Sequence, residues 1–277
     1  VAVKPLTDTL WHFVGFCLVL GIPSAAAAQV LGGPRPGTTA PRAYGFLTAF
    51  RSAIDVKHLN GVDADPHFNW DADVSFDIDV VDAGPFRGNL FMNVETIVGS
   101  EIRDVDPNHN SYTADVSVFV RLPRGEISST FHHVSRHFSD RATTDSISWN
   151  MFGVGYGDRF TLGRFKVDAG LRALWTVERA GVDYEAEYAG YASVVRPLNR
   201  RLALFWSVDG VTVQMDPRML NRSDQRGGHV ESGLRIATGV TAVDLFVARE
   251  QRIDPTSDRH ELASWTQFGI RVATPLP

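Results

Sequence analysis

Apolar and polar residues alternate without a break along residues 68–81, FNWDADVSFDIDVV. One parity carries the apolar side chains Trp70, Ala72, Val74, Phe76, Ile78 and Val80. The other carries the polar side chains Asn69, Asp71, Asp73, Ser75, Asp77 and Asp79. Because successive side chains of a strand point to opposite faces, this pattern predicts a β-strand with one apolar and one acidic face. The run is longer than the roughly 5–6 residues of most soluble strands and suits a tilted strand that crosses a membrane, which needs about 9–11 residues. A soluble β-sandwich shows the same alternation, so the rest of the chain has to decide.

Similar alternation recurs along the chain and predicts about twelve strands. The segments are 44–58, 68–81, 86–98, 112–122, 126–138, 146–160, 165–177, 184–195, 202–214, 228–237, 241–251 and 264–274. Tight turns follow the even-numbered segments, whereas longer polar loops tend to follow the odd-numbered ones, as at 99–111 and 216–227. The sequence therefore predicts an all-β fold, an antiparallel transmembrane β-barrel of about 12 strands with short periplasmic turns and longer extracellular loops.

The beginning of the chain predicts export. Lys4 precedes an apolar run at 11–22, and small residues follow at 25–28. This order is typical of a signal peptide, which we expect at residues 1–28 with cleavage after Ala28. The apolar run is too short to cross a membrane as a helix. We therefore expect the protein in the outer membrane of a Gram-negative-type bacterium, exported by a cleaved signal peptide.

The remaining residues divide into a lead-in and one large domain. Residues 29–43 are rich in Pro, Gly and Thr and predict a flexible lead-in, and residues 44–277 form the predicted outer-membrane barrel. The single cysteine, Cys17, lies within the predicted signal peptide, so closure of the sheet rather than disulfides would hold the barrel together. The formal net charge is only −5 and no basic block occurs, so nucleic acid is not an expected partner.

Charged residues of both signs occupy the polar parity of the predicted strands. They include Asp71, Asp73, Asp77, Asp79, Arg87, Glu95, Arg121, Lys166, Asp168, Arg172, Asp209, Glu231 and Arg235. Inside a barrel of about twelve strands these residues would face a narrow lumen and pair with one another. We therefore expect internal ion pairs rather than a selective channel.

Candidate chemistry lies where the fifth predicted strand, 126–138, ends and the sixth begins. His133 and Ser135 are two residues apart and therefore share a face of the strand, and Asn150 opens the neighbouring antiparallel strand. A serine becomes a nucleophile when a base takes its proton and a third group holds that base. Ser135 is thus the candidate nucleophile, His133 its base and Asn150 the residue that orients His133.

Two sets of apolar neighbours disagree about the face on which these side chains lie. Phe131 shares parity with His133 and Ser135, and Phe152 shares parity with Asn150, which favours the lipid face. The opposite parity of the sixth strand is also apolar, at Ile147, Trp149 and Met151. The sequence leaves the register open, although a lipid hydrolase needs His133 and Ser135 outward and a pore lining needs them inward.

This arrangement resembles outer-membrane phospholipase A. The resemblance rests on the His-x-Ser of residues 133–135, a polar loop, and the Ser-Trp-Asn of residues 148–150. It implies a twelve-stranded barrel whose lipid-facing Ser-His-Asn site hydrolyses acyl esters of membrane lipids, with Ser135 as nucleophile, His133 as base and Asn150 as its orienter. Membrane lipids would then be the partners, and a homodimer is a further expectation.

The resemblance also implies Ca²⁺ as a cofactor, held by loop oxygens near residues 139–148. The chain departs from the family at Arg136 and His137, where the family has Asn-Gly, and its loop before the Trp-Asn pair is longer. Both departures concern the oxyanion hole and the calcium site of that family.

Other interpretations of the same segment stay open. The run at 133–140, His-x-Ser-x-His-x-x-Asp, also resembles an uncharacterised family of bacterial exported β proteins, which implies no activity. Lipid A deacylases share His-x-Ser but use an acidic third member, for which Asp145 is the nearby candidate. A metal site is disfavoured, because histidines spaced one and four residues apart along a strand do not converge; these are His132, His133 and His137. The alternative function is a non-enzymatic outer-membrane barrel that acts as a scaffold, an anchor or a narrow pore.

Overall fold

The computed structural model describes residues 44–61, 66–138, 147–256 and 260–274. The predicted signal peptide, the lead-in and the connection between the fifth and sixth strands lie outside these ranges. The strands are β1 Gly45–Asn60, β2 Trp70–Ala83, β3 Phe86–Gly99, β4 Asp106–Arg121, β5 Glu126–Phe138, β6 Ile147–Leu162, β7 Phe165–Ala180, β8 Tyr184–Pro197, β9 Leu202–Met215, β10 Gln225–Ala237, β11 Ala242–Ile253 and β12 Leu262–Ala273. A short helix, α1 (Pro217–Leu220), lies between β9 and β10.

The strands close into a single antiparallel barrel in which each pairs with its neighbours in sequence. Closure comes from β1 and β12, where Ile54 lies opposite Val272 and Asp55 opposite Arg271. The predicted twelve-stranded antiparallel barrel is confirmed. No helix within the described ranges is long and apolar enough to cross a membrane.

Alternation along β2 gives the barrel wall its two surfaces. Val74 and Phe76 face outward and are 36% and 37% exposed, whereas Asp71 and Asp73 face inward and are 0% and 7% exposed. Large apolar residues continue this outer surface around the barrel, among them Val116, Val118, Phe152, Val154, Leu171, Trp175, Val208, Leu245, Phe268 and Ile270. A continuous apolar belt outside a polar interior is typical of a barrel that lies in lipid.

Several strand boundaries differ from those that alternation predicted, and the largest difference is at the start of β4. β4 begins at Asp106 instead of residue 112, because Gly99 of β3 pairs with Asp106 and Ile97 pairs with His109. Residues 106–111 are polar on both parities, so no period-two signal marks them as a strand. The connection between β7 and β8 contains only residues 181–183, so the expectation of a longer loop is wrong at that position.

Ion pairs cross the interior, as the mixed charges predicted. Arg252 of β11 contacts Asp71 of β2 at 2.9 Å and Glu95 of β3 at 2.8 Å. Arg136 of β5 donates to the backbone oxygen of Asp254, just beyond β11, at 2.6 Å. β5 and β11 lie half a turn apart in the strand order, so this hydrogen bond spans the lumen. A cavity of about 270 Å³ remains, lined largely by charged and polar side chains.

The interior is apolar where β5 to β9 approach the long-loop rim. A buried cluster there contains Val134, Ile147, Trp149, Met151, Leu174, Val182, Tyr184, Ala189, Val211, Val213, Met215 and Ile253. We call it the rim core. Because burial of these side chains removes apolar surface from water, the rim core stabilises the wall that carries the candidate site.

Candidate functional site

His133, Ser135 and Asn150 all lie on the outer surface of the barrel. On β5 the outward residue Phe131 is 41% exposed, whereas the inward residue Val134 is 5% exposed. His133 and Ser135 alternate with Val134 in the same way as Phe131, and both are partly exposed. Asn150 of β6 alternates with inward residues that belong to the rim core, which explains why both parities of β6 are apolar. The structure thus decides the register in favour of the lipid face.

The predicted pair of His133 and Asn150 is present. The two residues lie directly opposite each other on β5 and β6, and Nδ1 of His133 is 2.7 Å from Oδ1 of Asn150. An amide oxygen accepts hydrogen bonds and does not donate them, so Nδ1 carries the proton in this pair. Nε2 of a neutral His133 then keeps its lone pair, which is the state that a general base requires.

Glu178 of β7 fixes the orientation of this pair, and strand parity gave no indication of it. Nδ2 of Asn150 donates to Oε2 of Glu178 at 3.1 Å. A carboxylate has no hydrogen to donate, so the amide group must present its NH₂ to Glu178 and its oxygen to His133. One carboxylate therefore sets the direction of both hydrogen bonds and the tautomer of His133.

A β-bulge places Glu178 on the outer surface. The pairing between β6 and β7 steps from Met151 opposite Thr176 to Asn150 opposite Glu178 and leaves Val177 without a partner across the ladder. An extra residue in one strand shifts the parity of the residues beyond it, and both Val177 and Glu178 are exposed. Strict alternation would have assigned Glu178 to the lumen. Its position opposite Asn150 needs the register, which the sequence pattern does not give.

Ser135 has a different hydrogen-bond partner from the one that its spacing predicted. Its Oγ lies 2.7 Å from Nε2 of His137, which is the next residue on the same face of β5. Among the described residues, no hydrogen bond joins Ser135 to His133. The ring of His137 packs edge-on against Tyr112 of β4, with ring centroids 5.7 Å apart. Ser135 therefore lies between two imidazoles on one strand face.

Arg136, which departs from the phospholipase pattern, points away from the site. Its side chain faces inward and is 5% exposed. The guanidinium packs over the ring of Trp149 at 5.1 Å, and Trp149 in turn meets Tyr184 edge-on at 5.0 Å. Arg136 therefore does not obstruct the outer surface at Ser135. Its contact with Trp149 supports β5 from the lumen side.

The three histidines of this segment do not share one face of β5. His132 faces the lumen, where its Nδ1 lies 2.5 Å from Oδ1 of Asp115, whereas His133 and His137 face outward. They lie on two sides of the wall, as the strand spacing predicted. Of residues 139–148, which the resemblance implies for Ca²⁺, residues 139–146 lie outside the described residues, and the acidic candidate Asp145 is among them.

A carboxylate cluster inside the lumen is occupied by cationic side chains. Asp71, Asp73 and Glu95 offer oxygens that lie within 4.8 Å of one another. Nζ of Lys57 contacts Asp71 at 3.1 Å and Asp73 at 2.5 Å, and Arg252 contacts Asp71 and Glu95. These carboxylates are therefore partners of internal ion pairs.

No family model matches the chain, and no curated protein matches it. Among solved structures, the outer membrane phospholipase A of Escherichia coli is 10% identical, with a TM-score of 0.50 over 82% of this chain and 90% of that one. The phospholipase of Salmonella typhi, solved as a dimer with bound calcium, is 10% identical, with a TM-score of 0.51 over 86% and 94% of the two chains. The fold is that of an outer-membrane β-barrel. The translocator domain of the autotransporter NalP from Neisseria meningitidis is also similar, with 12% identity and a TM-score of 0.42 over 83% and 89%. At these identities the likeness shows the fold alone.

Proposed function

We propose that this barrel is an outer-membrane enzyme that hydrolyses acyl esters of membrane lipids at Ser135. The observation that carries the proposal is the hydrogen-bond chain from Glu178 through Asn150 to His133, which ends beside a serine on the outer surface of the barrel. Contact with lipid alone would favour apolar side chains at this position, and it does not explain three polar side chains joined by hydrogen bonds. Lipid acyl chains would reach the site directly from the surrounding bilayer.

In this proposal Ser135 attacks the ester carbonyl and His133 takes its proton on Nε2. Asn150 accepts the Nδ1 hydrogen of His133, which keeps the imidazole in the reactive tautomer and orients it along the face of β5. Formation of the Ser135–His133 hydrogen bond requires the serine to direct its hydrogen at Nε2 of His133, whereas Oγ now lies 2.7 Å from Nε2 of His137. Catalytic hydrogen bonds of this kind often tighten only when substrate binds.

Calcium and a second copy of the chain are further expectations that come from the phospholipase resemblance. Calcium prefers six to eight oxygen ligands. The resemblance implies that oxygens near residues 139–148 would supply them, and the mechanism above describes the steps of Ser135, His133 and Asn150 alone. Sedimentation in detergent, with and without calcium, tests whether the barrel forms a dimer.

The competing candidate is a non-enzymatic barrel. The contacts that cross its interior indicate whether such a barrel would be a pore, a scaffold or an anchor. The hydrogen bond from Arg136 to Asp254 spans the lumen at the long-loop rim, and Arg252 ties β11 to β2 and β3. These contacts disfavour a pore and leave a scaffold or an anchor as the alternative.

The test is fatty-acid release from mixed phospholipid and lipopolysaccharide micelles by the refolded protein, with and without calcium. Ser135→Ala and His133→Ala should each lower the rate by about 10³-fold or more, because the nucleophile and its base act as a unit. Ser129→Ala is the matched control, since Ser129 lies on the same face of β5 away from the site.

The control variant should keep full activity, and far-UV circular dichroism should show that all variants fold equally. Absence of release by the wild-type protein, or equal rates for Ser135→Ala and Ser129→Ala, would leave the non-enzymatic barrel as the better account.

A further inference from the structure

His137 has no role in the proposed mechanism, yet it is the group that contacts the nucleophile. Its Nε2 lies 2.7 Å from Oγ of Ser135. The residue is exposed on the outer surface, and its ring rests against Tyr112. On β5 the order along one face is His133, Ser135, His137, so an imidazole lies on each side of the hydroxyl.

The two imidazoles are not equivalent. Asn150 accepts the Nδ1 hydrogen of His133, so that ring offers Ser135 a lone pair on Nε2. His137 already directs Nε2 at Oγ. A hydroxyl oxygen can accept one hydrogen bond while its own hydrogen is donated elsewhere. A protonated His137 that donates to Oγ is therefore compatible with a serine that passes its proton to His133.

We propose that His137 is a second catalytic residue, which supplies the proton to the leaving alcohol, so that the site is a Ser135 nucleophile served by two histidines. This inference rests on the proposed function, because it assigns a role within the same ester hydrolysis. It gives a role to the hydrogen bond between Ser135 and His137, which the single-histidine mechanism does not use.

The proton balance closes over one turnover. Oγ of Ser135 bonds to the carbonyl carbon and its proton passes to Nε2 of His133. The bond between that carbon and the alcohol oxygen then breaks, and the departing oxygen keeps the electron pair and takes the Nε2 proton of His137. Water next attacks the acyl carbon and gives a proton to His137. The bond to Oγ breaks, and Oγ takes back the proton that His133 holds. Ester and water have become acid and alcohol, and both histidines are in their starting states.

A general acid such as His137 would accelerate the hydrolysis of a lipid ester. The leaving group is an alkyl alcohol, which departs poorly without a proton, and general acid catalysis contributes about 10²- to 10⁴-fold. A para-nitrophenol ester does not need this help, because nitrophenolate is a stable leaving group. A comparison of the rates on the two kinds of ester therefore distinguishes a general acid, which affects the alkyl ester alone, from a residue that only positions Ser135, which affects both.

The experiment compares ethyl decanoate with para-nitrophenyl decanoate in the same detergent micelles. The shared acyl chain gives the same acyl-enzyme from both. We expect His137→Gln to lower kcat/KM for the ethyl ester by about 10²- to 10⁴-fold and for the nitrophenyl ester by less than about fivefold, because only the ethyl ester needs the acid. Since His137 also receives the proton of the attacking water, the variant should show a burst of nitrophenolate followed by slow turnover.

His133→Ala and Ser135→Ala should lose both activities and the burst, and circular dichroism of each variant confirms that the barrel has formed. Equal loss on both esters in His137→Gln would mean that His137 positions Ser135 or acts as its base, and an unchanged ratio with full activity would mean that it takes no part. Either result overturns the inference while the proposed hydrolase stands. A wild-type protein inactive on both esters overturns the proposed function itself.

Discussion

Glu178 places a carboxylate beside outward apolar residues of β7. The outward residues near it, Trp175 and Val177, are 48% and 63% exposed. An exposed charge next to an apolar belt is unfavourable unless it has a partner, and the partner here is the amide of Asn150. At the scale of single residues, the position of this charge is the strongest support for a functional role of the outer patch around Asn150.

Glu178 is expected to act as a positioning residue, since it contacts Asn150 and not Ser135. Glu178→Leu should lower kcat about three- to tenfold with KM unchanged, because one hydrogen bond to a charged group is worth on the order of 1 kcal/mol at an exposed site. Glu178→Gln keeps an acceptor oxygen and should recover most of the rate. The measurement is steady-state hydrolysis of para-nitrophenyl decanoate.

Glu185→Leu provides the control, because it removes another partly exposed carboxylate at the start of the neighbouring strand β8. Equal losses for Leu and Gln at position 178, or an increase in KM, would mean that Glu178 does not act through the amide of Asn150.

At the scale of whole elements, Asp216 ties the connection between β9 and β10 to Arg179 of β7. Asp216 caps α1 by accepting the backbone N–H of Arg218 at 3.0 Å, and it also accepts from the side chains of Arg218 at 2.9 Å and Arg179 at 2.7 Å. Hydrogen bonds from Arg218 lower the pKa of Asp216 to about 2. Because the folded pKa is below the usual value for aspartate of about 3.9, the stabilisation is complete above that value and is lost as pH falls through about 2.

Pepsin, which is active in acid, can measure this loss. Cleavage within residues 216–224 should stay slow between pH about 4 and about 3 and should accelerate below about 2, as Asp216 takes up a proton. Asp216→Asn should make cleavage fast across the whole range, because an amide does not replace the ion pairs with two arginines. Mass spectrometry of the fragments locates the cut, and equal rates in both proteins near pH about 4 would contradict the expected role of Asp216.

At the scale of the whole molecule, buried ion pairs join strands that are not neighbours. Arg87 of β3 is 0% exposed, and it contacts Asp79 of β2 and Glu126 of β5, each at 2.6 Å. Removal of one partner from a buried pair leaves an uncompensated charge and costs about 3–5 kcal/mol. Arg87→Leu should therefore lower the free energy of unfolding by about that amount, measured by urea titration of the barrel in lipid vesicles.

Arg103→Leu is the control for a pair whose cation is exposed. The Arg103 side chain is 55% exposed and contacts the 3%-exposed Asp106 at 2.9 Å, so the guanidinium gains less from the pair and its loss should cost less than the loss of Arg87. Similar losses for the two variants would show that burial does not govern the strength of the internal pairs.

Much of the fold could be predicted from the sequence. Outward residues contact lipid and inward residues form ion pairs, so apolar and polar residues alternate with a period of two along each strand. That period locates the twelve strands, and it places His133 and Ser135 on one face. It does not decide which face, because the rim core makes the inward parity of β6 as apolar as the outward one. Nor does it find Glu178, whose position depends on the bulge at Val177.

The alternation of apolar and polar residues also does not predict the hydrogen bond between Ser135 and His137. Both neighbours of Ser135 on its face are histidines, so spacing alone favours neither of them. The orientation of each ring depends on a contact with a neighbouring strand, since Asn150 of β6 engages His133 and Tyr112 of β4 packs against His137. Such contacts require the register, which the pattern does not give.

The ion pairs inside the barrel have a consequence for how such a sequence can change over time. Arg252 contacts carboxylates on β2, β3 and its own strand, at Asp71, Glu95 and Glu250. A mutation at Arg252 would take a cation away from three carboxylates, of which Asp71 keeps its contact with Lys57, so the mutation becomes tolerable only together with changes far away in the chain. The apolar belt has no such linkage away from the candidate site, because one apolar residue there can replace another. Relatives of this protein should therefore vary freely along the apolar belt, while their interiors change in correlated groups that record which strands face one another.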